Sequence, residues 1–438
     1  MRRLAILVLL MLALLPLRWF AVVSTPVGTL FLHELGLLLF SVLAVVTLTP
    51  RALAVAVGST GFLTAAMAAG FAVWSAACLF HAVSPGSAIK QWAYLGSFVL
   101  VVAAVVCFAE SKDPSAIRIL RWVGVTTTLM LLAALELALR INHVDALHVL
   151  STAVTSGDPS AIEAQLFRPA FVGFGYSEAD TVSQLRHEVV AGLLVSLFVA
   201  SWAQHRVPFA RRSARWLSQS AVVVASLLIV LSLSRSVQIA AISWPLLAGL
   251  RVVLVGRVTR RQLVTAAIGA VVVVGVSASG FIGVILQRIT QDSSSYNERG
   301  AKLSAAVDTI RQYPWSGGHY DDTISSHNFV LDAWLRGGVA MAALMLAALL
   351  FVLWRLAANV AVLASAPVEL VPVTAAFMLP LVRMFTIGAG LMTPPEWVCL
   401  AFALAATTVY LREVRRRGRA VQSHPTDLSA GSRALVPR

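Results

Sequence analysis

Eight arginines and one histidine are the residues of this chain best suited to chemistry. Arg140, Arg168, Arg186, Arg235, Arg288, Arg299, Arg311 and Arg336 fall in or beside two long connections and one short turn. A guanidinium donates paired hydrogen bonds in a plane that matches phosphate oxygens, so a group of arginines rather than lysines points to an anionic, phosphate-bearing ligand. His327 stands in Ser326-His327-Asn328-Phe329, at the entry to an apolar run. Imidazole exchanges a proton near neutral pH and so suits the activation of a hydroxyl; on the residues alone, an interfacial or helix-capping histidine is an equal reading.

The neighbourhood of these residues is patterned. After polar Asp292–Asn297, Leu303, Val307 and Ile310 recur at helical spacing until Tyr313-Pro314 ends the pattern. Arg299 lies four residues before Leu303, which puts it on the apolar face of that helix. It is also expected in the first turn, where unpaired backbone N–H groups favour an anion. Pro314-Trp315-Ser316-Gly317-Gly318-His319-Tyr320 then forms a turn-rich stretch, and Gly337-Gly338 follow a short way into the next apolar run. Arg235 sits in the tight turn Leu231–Ser236, and Arg186 precedes His187-Glu188 at the entry to another apolar run. His33, Glu34, Glu136 and Arg383 are ionisable groups inside apolar runs and are candidates for function by that placement; for His33 and Glu34 a mutual pair is the alternative reading, and they are left unassigned.

A metal centre is the competing chemistry. His319, Asp321, Asp322 and His327 supply nitrogen and oxygen donors, but their spacing matches no specific ligand motif, so neither a metal nor another cofactor is expected. Cys78, Cys107 and Cys399 lie in apolar runs without CxxC spacing and read as small buried hydrophobes.

The elements that must position these groups are membrane helices. The 438 residues are 58% hydrophobic and 12% charged, with a mean hydropathy of +0.83. That is too little polar material to cover a water-facing surface, for which about 25% charged residues is ordinary. Many runs reach the roughly 20 residues that cross a bilayer core, and a backbone in lipid must satisfy its own hydrogen bonds. An all-α polytopic membrane protein is expected, with about 12 spans at 4–24, 27–48, 55–80, 91–109, 119–140, 188–204, 216–233, 236–254, 263–286, 334–356, 368–388 and 395–412. Residues 1–418 are expected to form one transmembrane domain with long loops at about 141–187 and 287–333. Residues 419–438 read as a cytoplasmic tail ending in the remnant of a cleavable tag, Leu435-Val436-Pro437-Arg438.

Charge sets the expected orientation. With both termini cytoplasmic, Arg51, Lys112, Arg118, Arg121, Arg206, Arg211, Arg212, Arg215, Arg251, Arg257, Arg260, Arg261 and the basic run from Arg412 to Arg419 all fall on one side. Orientation and contact with anionic headgroups account for these, and nucleic acid is not needed to explain the net charge of +14. The eight arginines above fall on the opposite side, where the positive-inside rule gives them no purpose. Snorkelling accounts for one or two of them; their number favours an anion site.

In order, Ser234-Arg235 at the outer turn, Arg299 leading a helix that closes with Pro314 and Gly317, and His327-Asn328 followed after nine residues by Gly338 resemble the O-antigen ligase and polymerase superfamily. The likeness covers roughly 180–345 and looks most like the ligase branch. Met341 stands where a small residue is expected, and Gly317-Gly318-His319 replaces a glycine-x-glycine. The resemblance implies a GT-C-like glycosyltransferase in a bacterial inner membrane, with the arginines and His327 at its periplasmic face. Its donor would be a glycan on undecaprenyl diphosphate and its acceptor a hydroxyl of lipid A–core. It further implies metal-independent, inverting transfer, with His327 as base and Arg186, Arg235, Arg299, Arg288 and Arg383 on the diphosphate. An O-antigen polymerase is the alternative within the same fold. A lipid-linked glycan transporter is the alternative from another class; it predicts broken helices and charges near the bilayer midplane.

Overall fold

The protein is described by a computed structural model, which defines residues 1–17, 21–25, 28–111, 113–141, 143, 145–156, 189–232, 234–256, 293–320, 325–386 and 391–423. It is mostly helical. Helix α1 (Arg2–Leu14) leads to a two-stranded antiparallel hairpin, β1 (Ala21–Thr25) and β2 (Gly28–Phe31), and then to α2 (Leu32–Thr47). There follow α3 (Pro50–Phe80), α4 (Gly86–Glu110), α5 (Ser115–Leu120), α6 (Val123–Ile141), α7 (Ala146–Ser156), α8 (Val190–Arg206), α9 (Arg212–Leu231) and α10 (Arg235–Val255). The remaining described helices are α11 (Ser293–Gln312), α12 (Phe329–Ala361), α13 (Leu370–Ala376), α14 (Met378–Met384) and α15 (Pro394–Ser423).

Seven of the described helical segments are long and apolar enough to cross a membrane: Pro50–Phe80, Gly86–Glu110, Ser115–Leu137, Arg212–Val230, Arg235–Val255, Phe329–Ala361 and Pro394–Arg416. The expected span 263–286 lies outside the described residues. The expected span 4–24 is corrected. Its helix ends at Leu14, because Pro16 has no N–H to continue the ladder, and β-branched Val23 and Thr25 pair with the strand that follows. The expected span 368–388 is helical from Leu370 to Met384, with a turn at Phe377 that keeps right-handed helical dihedrals.

The centre of the molecule is formed by α3, which packs along α4 and α12, and by α15, which packs on α4 and α13. A single apolar core runs through these helices and includes Phe71, Trp74, Phe98, Trp202, Phe377 and Trp397. Phe98 and Phe71 meet Trp397 edge-on, with ring centroids 5.6 and 6.2 Å away. Edge-to-face aromatic packing of this kind fixes the relative rotation of α3, α4 and α15. The ion pairs between helices lie near helix ends, while hydroxyl contacts such as Ser41 with Ser97 (2.8 Å) and Thr127 with Ser196 (3.0 Å) join helices along their length.

Candidate functional site

One end carries His327. Its turn is built by a buried carboxylate one helical turn into α12. Asp332, fully buried, accepts hydrogen bonds from the Ser325 hydroxyl (2.8 Å), the Ser326 hydroxyl (2.8 Å) and the Ser326 N–H (2.6 Å). Asn328 caps α12 by accepting from the N–H groups of Val330 and Leu331. His327 stands between these fixed points with φ of 60°, half-buried, its N–H donating to the Ser325 hydroxyl. A left-handed backbone is uncommon for a residue with a Cβ, and here the two flanking networks impose it. The result is an imidazole on a rigid turn at the mouth of a long helix.

The tight stretch after α11 locks onto the same helix. Gly317 has φ of 80°, and a Cβ there would stand 2.3 Å from the Leu335 carbonyl oxygen. Gly338 has φ of 65°, and a Cβ there would stand 1.8 Å from the Trp315 carbonyl oxygen. No side chain fits either contact. The Gly318 and His319 N–H groups both donate to the Leu335 oxygen, and Trp334 Nε1 donates to the Pro314 oxygen at 2.7 Å. Those carbonyl and N–H groups meet because α12 leaves helical geometry at Gly337-Gly338. The two glycine pairs that look like separate turns in the sequence are thus two halves of one backbone contact.

Arg336 lies just before this break and is buried. Its Nη1 donates to the Asp332 oxygen at 3.3 Å, and its guanidinium lies 5.1 Å from the Trp74 ring centroid. Trp74 in turn donates from Nε1 to the Tyr320 oxygen at 2.8 Å, while His81 stacks on Tyr320 at 4.0 Å. The end of α3 therefore holds the loop that leads from Gly318 toward the His327 turn.

Arg383 is buried on α14 and donates from Nε to Glu396 Oε1 at 2.7 Å. Glu396 also accepts from the N–H of Thr393 at 2.9 Å and from the Thr393 hydroxyl. Arg235 opens α10 and is half-buried. At the far end of α10, Arg251 donates to the Leu363 and Ala366 oxygens. From Arg251, α10 climbs about 24 Å to Arg235. It packs on both α13 and α14 as it rises, and α14 carries Arg383 in its last turn. Beside Arg235, the buried Ser236 hydroxyl has no hydrogen-bond partner among the described residues.

By helix direction, the start of α12 with His327, the start of α10 with Arg235 and the end of α14 with Arg383 all lie at the end of the frame opposite Arg251. Arg186 and Arg288 lie outside the described residues. Arg299 is the seventh residue of α11, which begins at Ser293, so its expected place in the first turn is corrected to the second. The polar Ser293–Asn297 stretch extends the helix backward, and the backbone N–H groups around Arg299 belong to the helix ladder. The buried side of α11 is formed by Ala306 and Ile310 against Leu335, whereas Leu303 is largely exposed. His33 and Glu34 take other partners. Glu34 accepts from Lys90 Nζ at 3.3 Å, the Phe31 N–H at 3.0 Å and the Tyr94 hydroxyl, and His33 stacks on Phe31. Of the metal-candidate set, Asp321 and Asp322 lie outside the described residues; among the described residues, no group of three metal-ligating side chains is found.

Sequence reasoning missed Asp332, although an aspartate and an arginine four apart at the head of an apolar helix were the available signal. Compared with known proteins, the chain matches no family model and no curated protein.

Proposed function

We propose that this protein is an O-antigen ligase: it moves a glycan from undecaprenyl diphosphate to a hydroxyl of lipid A–core at the periplasmic face of a bacterial inner membrane. The observation that carries this reading is the His327 turn, held by Asp332 and Asn328 at the same end as Arg235 and Arg383. His327 acts as the base. It takes the proton of the acceptor hydroxyl as that oxygen attacks the anomeric carbon from the face opposite the leaving diphosphate, so the configuration inverts. The bond that breaks joins the anomeric carbon to the diphosphate oxygen, and negative charge develops on the leaving group. Guanidinium groups stabilise that charge without a metal.

Arg235 at the head of α10 is the strongest diphosphate ligand of the described set. It adds its charge to the free N–H groups of a helix start, next to the Ser236 hydroxyl. Arg186, Arg288 and Arg299 complete the diphosphate set. Arg383 acts beside them with its charge already shared with Glu396, which makes it the weakest ligand of the five. A GT-C-like arrangement of about 12 spans, with both termini cytoplasmic, belongs to the same proposal.

Two readings compete. A polymerase would use two undecaprenyl-linked substrates on the same residues. A transporter gains from the helix break at Gly337-Gly338, which is of the kind that lines transport sites. Purified protein in vesicles, given lipid-linked glycan and lipid A–core, separates all three. The ligase labels lipid A–core, the polymerase only lengthens the lipid-linked chain, and the transporter makes no covalent product.

A further inference from the structure

At the opposite end of the frame, a cleft of about 430 Å³ opens between α3, α12 and α15. Arg355, Arg412 and Arg415 line it, and among the described residues no carboxylate does. Arg412 shares its charge with Glu110 at 3.1 Å, a carboxylate that Arg416 also approaches at 3.4 Å. The cluster therefore keeps an excess of positive charge around a concave space. Arg355 Nε is buried and has no hydrogen-bond partner among the described residues. The two lining hydroxyls donate elsewhere: Ser59 to the Ala56 oxygen and Thr408 to the Leu404 oxygen. The donors left to the cleft are guanidinium groups, which suit an acceptor-only anion with several oxygens.

The mouth of the cleft indicates where that anion comes from. Phe62, Phe351 and Trp354 form a string of rings with centroids 5.7 Å apart at each step. Phe62 and Trp354 are more than half exposed, as is Val57 beside them. Apolar rings leading outward from a cationic cleft match a molecule with acyl chains and an anionic head. A buried, unpartnered guanidinium nitrogen is costly unless such an anion occupies the space. Basic clefts between spans on the Arg-rich side are known places for anionic lipid headgroups.

We propose that this cleft binds the phosphodiester headgroup of an anionic membrane phospholipid, with Arg355, Arg412 and Arg415 on the phosphate oxygens and the acyl chains along Phe62 and Trp354. The site is separate from the His327 end and does not depend on the proposed transfer reaction.

The test compares full-length protein in nanodiscs of phosphatidylcholine alone and of phosphatidylcholine with phosphatidylglycerol. Thermal melting and native mass spectrometry of retained lipid are the readouts. Three variants probe the site. Arg355→Gln removes the inner charge, and Arg415→Gln removes an exposed one. Gly58→Leu fills the cleft from α3, where a Cβ at Gly58 meets nothing within 4 Å. Arg118→Gln, an exposed arginine at the same end but outside the cleft, controls for net charge. The expected result is a phosphatidylglycerol-dependent rise in melting temperature and retained lipid for wild type and Arg118→Gln. Retained phosphatidylglycerol falls roughly tenfold in Arg355→Gln, the size of one lost charge-assisted hydrogen bond. It falls at least as far in Gly58→Leu, which occupies the space, and falls less in the exposed Arg415→Gln. Wild-type retention in Arg355→Gln and Gly58→Leu would overturn the proposal. A full melting shift from inorganic phosphate in phosphatidylcholine discs would overturn the lipid as its source.

Discussion

The two ends of the helical frame use charge in different ways. At the arginine-rich end, cations join neighbouring helix ends to one another. Arg206 reaches both Glu369 (3.2 Å) and Glu413 (2.6 Å), Arg121 donates to the Val207 and Pro208 oxygens, and Arg251 donates to the Leu363 and Ala366 oxygens. These contacts lie at chain reversals, where they tie one helix end to the next. At the other end, the charged groups are buried and hold unusual backbone. Asp332 fixes the turn that displays His327, Arg336 sits under the Gly337-Gly338 break, and Glu396 receives both Arg383 and the Thr393 turn. Charge at the first end orients and ties the bundle. At the second it builds a rigid surface that the fold alone does not require.

Mutations should split along the same line. The largest expected effect is His327→Ala, which removes the base and slows transfer by about 100- to 10,000-fold with melting temperature unchanged. Slow transfer together with a lowered melting temperature would mean that the residue is structural. Next is Gly338→Ala. Its Cβ would collide with the Trp315 oxygen at a left-handed position, so the loop must leave α12, and both activity and stability fall by more than about 2 kcal/mol in chemical unfolding. Arg383→Ala strands buried Glu396 and costs about 3–5 kcal/mol of stability. Arg235→Ala, on a half-buried residue, instead weakens donor binding while the protein melts as wild type; a reversal of these two phenotypes would refute their assigned roles. The smallest effect is Arg416→Ala at the basic end, an exposed arginine beside Glu110, which lowers stability by up to about 1 kcal/mol and leaves transfer per folded molecule intact. EDTA should leave transfer unchanged, and activity restored by a divalent ion after chelation would contradict the metal-independent mechanism.

Hydropathy and the positive-inside pattern made the membrane class and the two-ended charge distribution legible, because both are summed over many residues. Single-residue geometry was less accessible. Pro16 ends α1 within an apolar run whose composition alone reads as a full span. The turn at Phe377 likewise falls inside an apolar run, with Pro372 and Pro380 on either side. At the candidate site, the placement of His327 at the mouth of a long helix followed from the order of elements. The partners of that turn did not, since Asp332 acts backward across a helix start and Gly317 meets Gly338 across 20 intervening residues. Glu34 shows the limit most simply: its neighbour in sequence is His33, but its side-chain partners are on α4.

The most direct test is glycan transfer by purified protein in vesicles that contain undecaprenyl-diphosphate-linked glycan and lipid A–core, with wild type beside His327→Ala. The account predicts glycosylated lipid A–core from the wild type, insensitive to EDTA, and almost none from the variant despite an unchanged melting curve. Equal product from both proteins, or no product on lipid A–core from either, would contradict it.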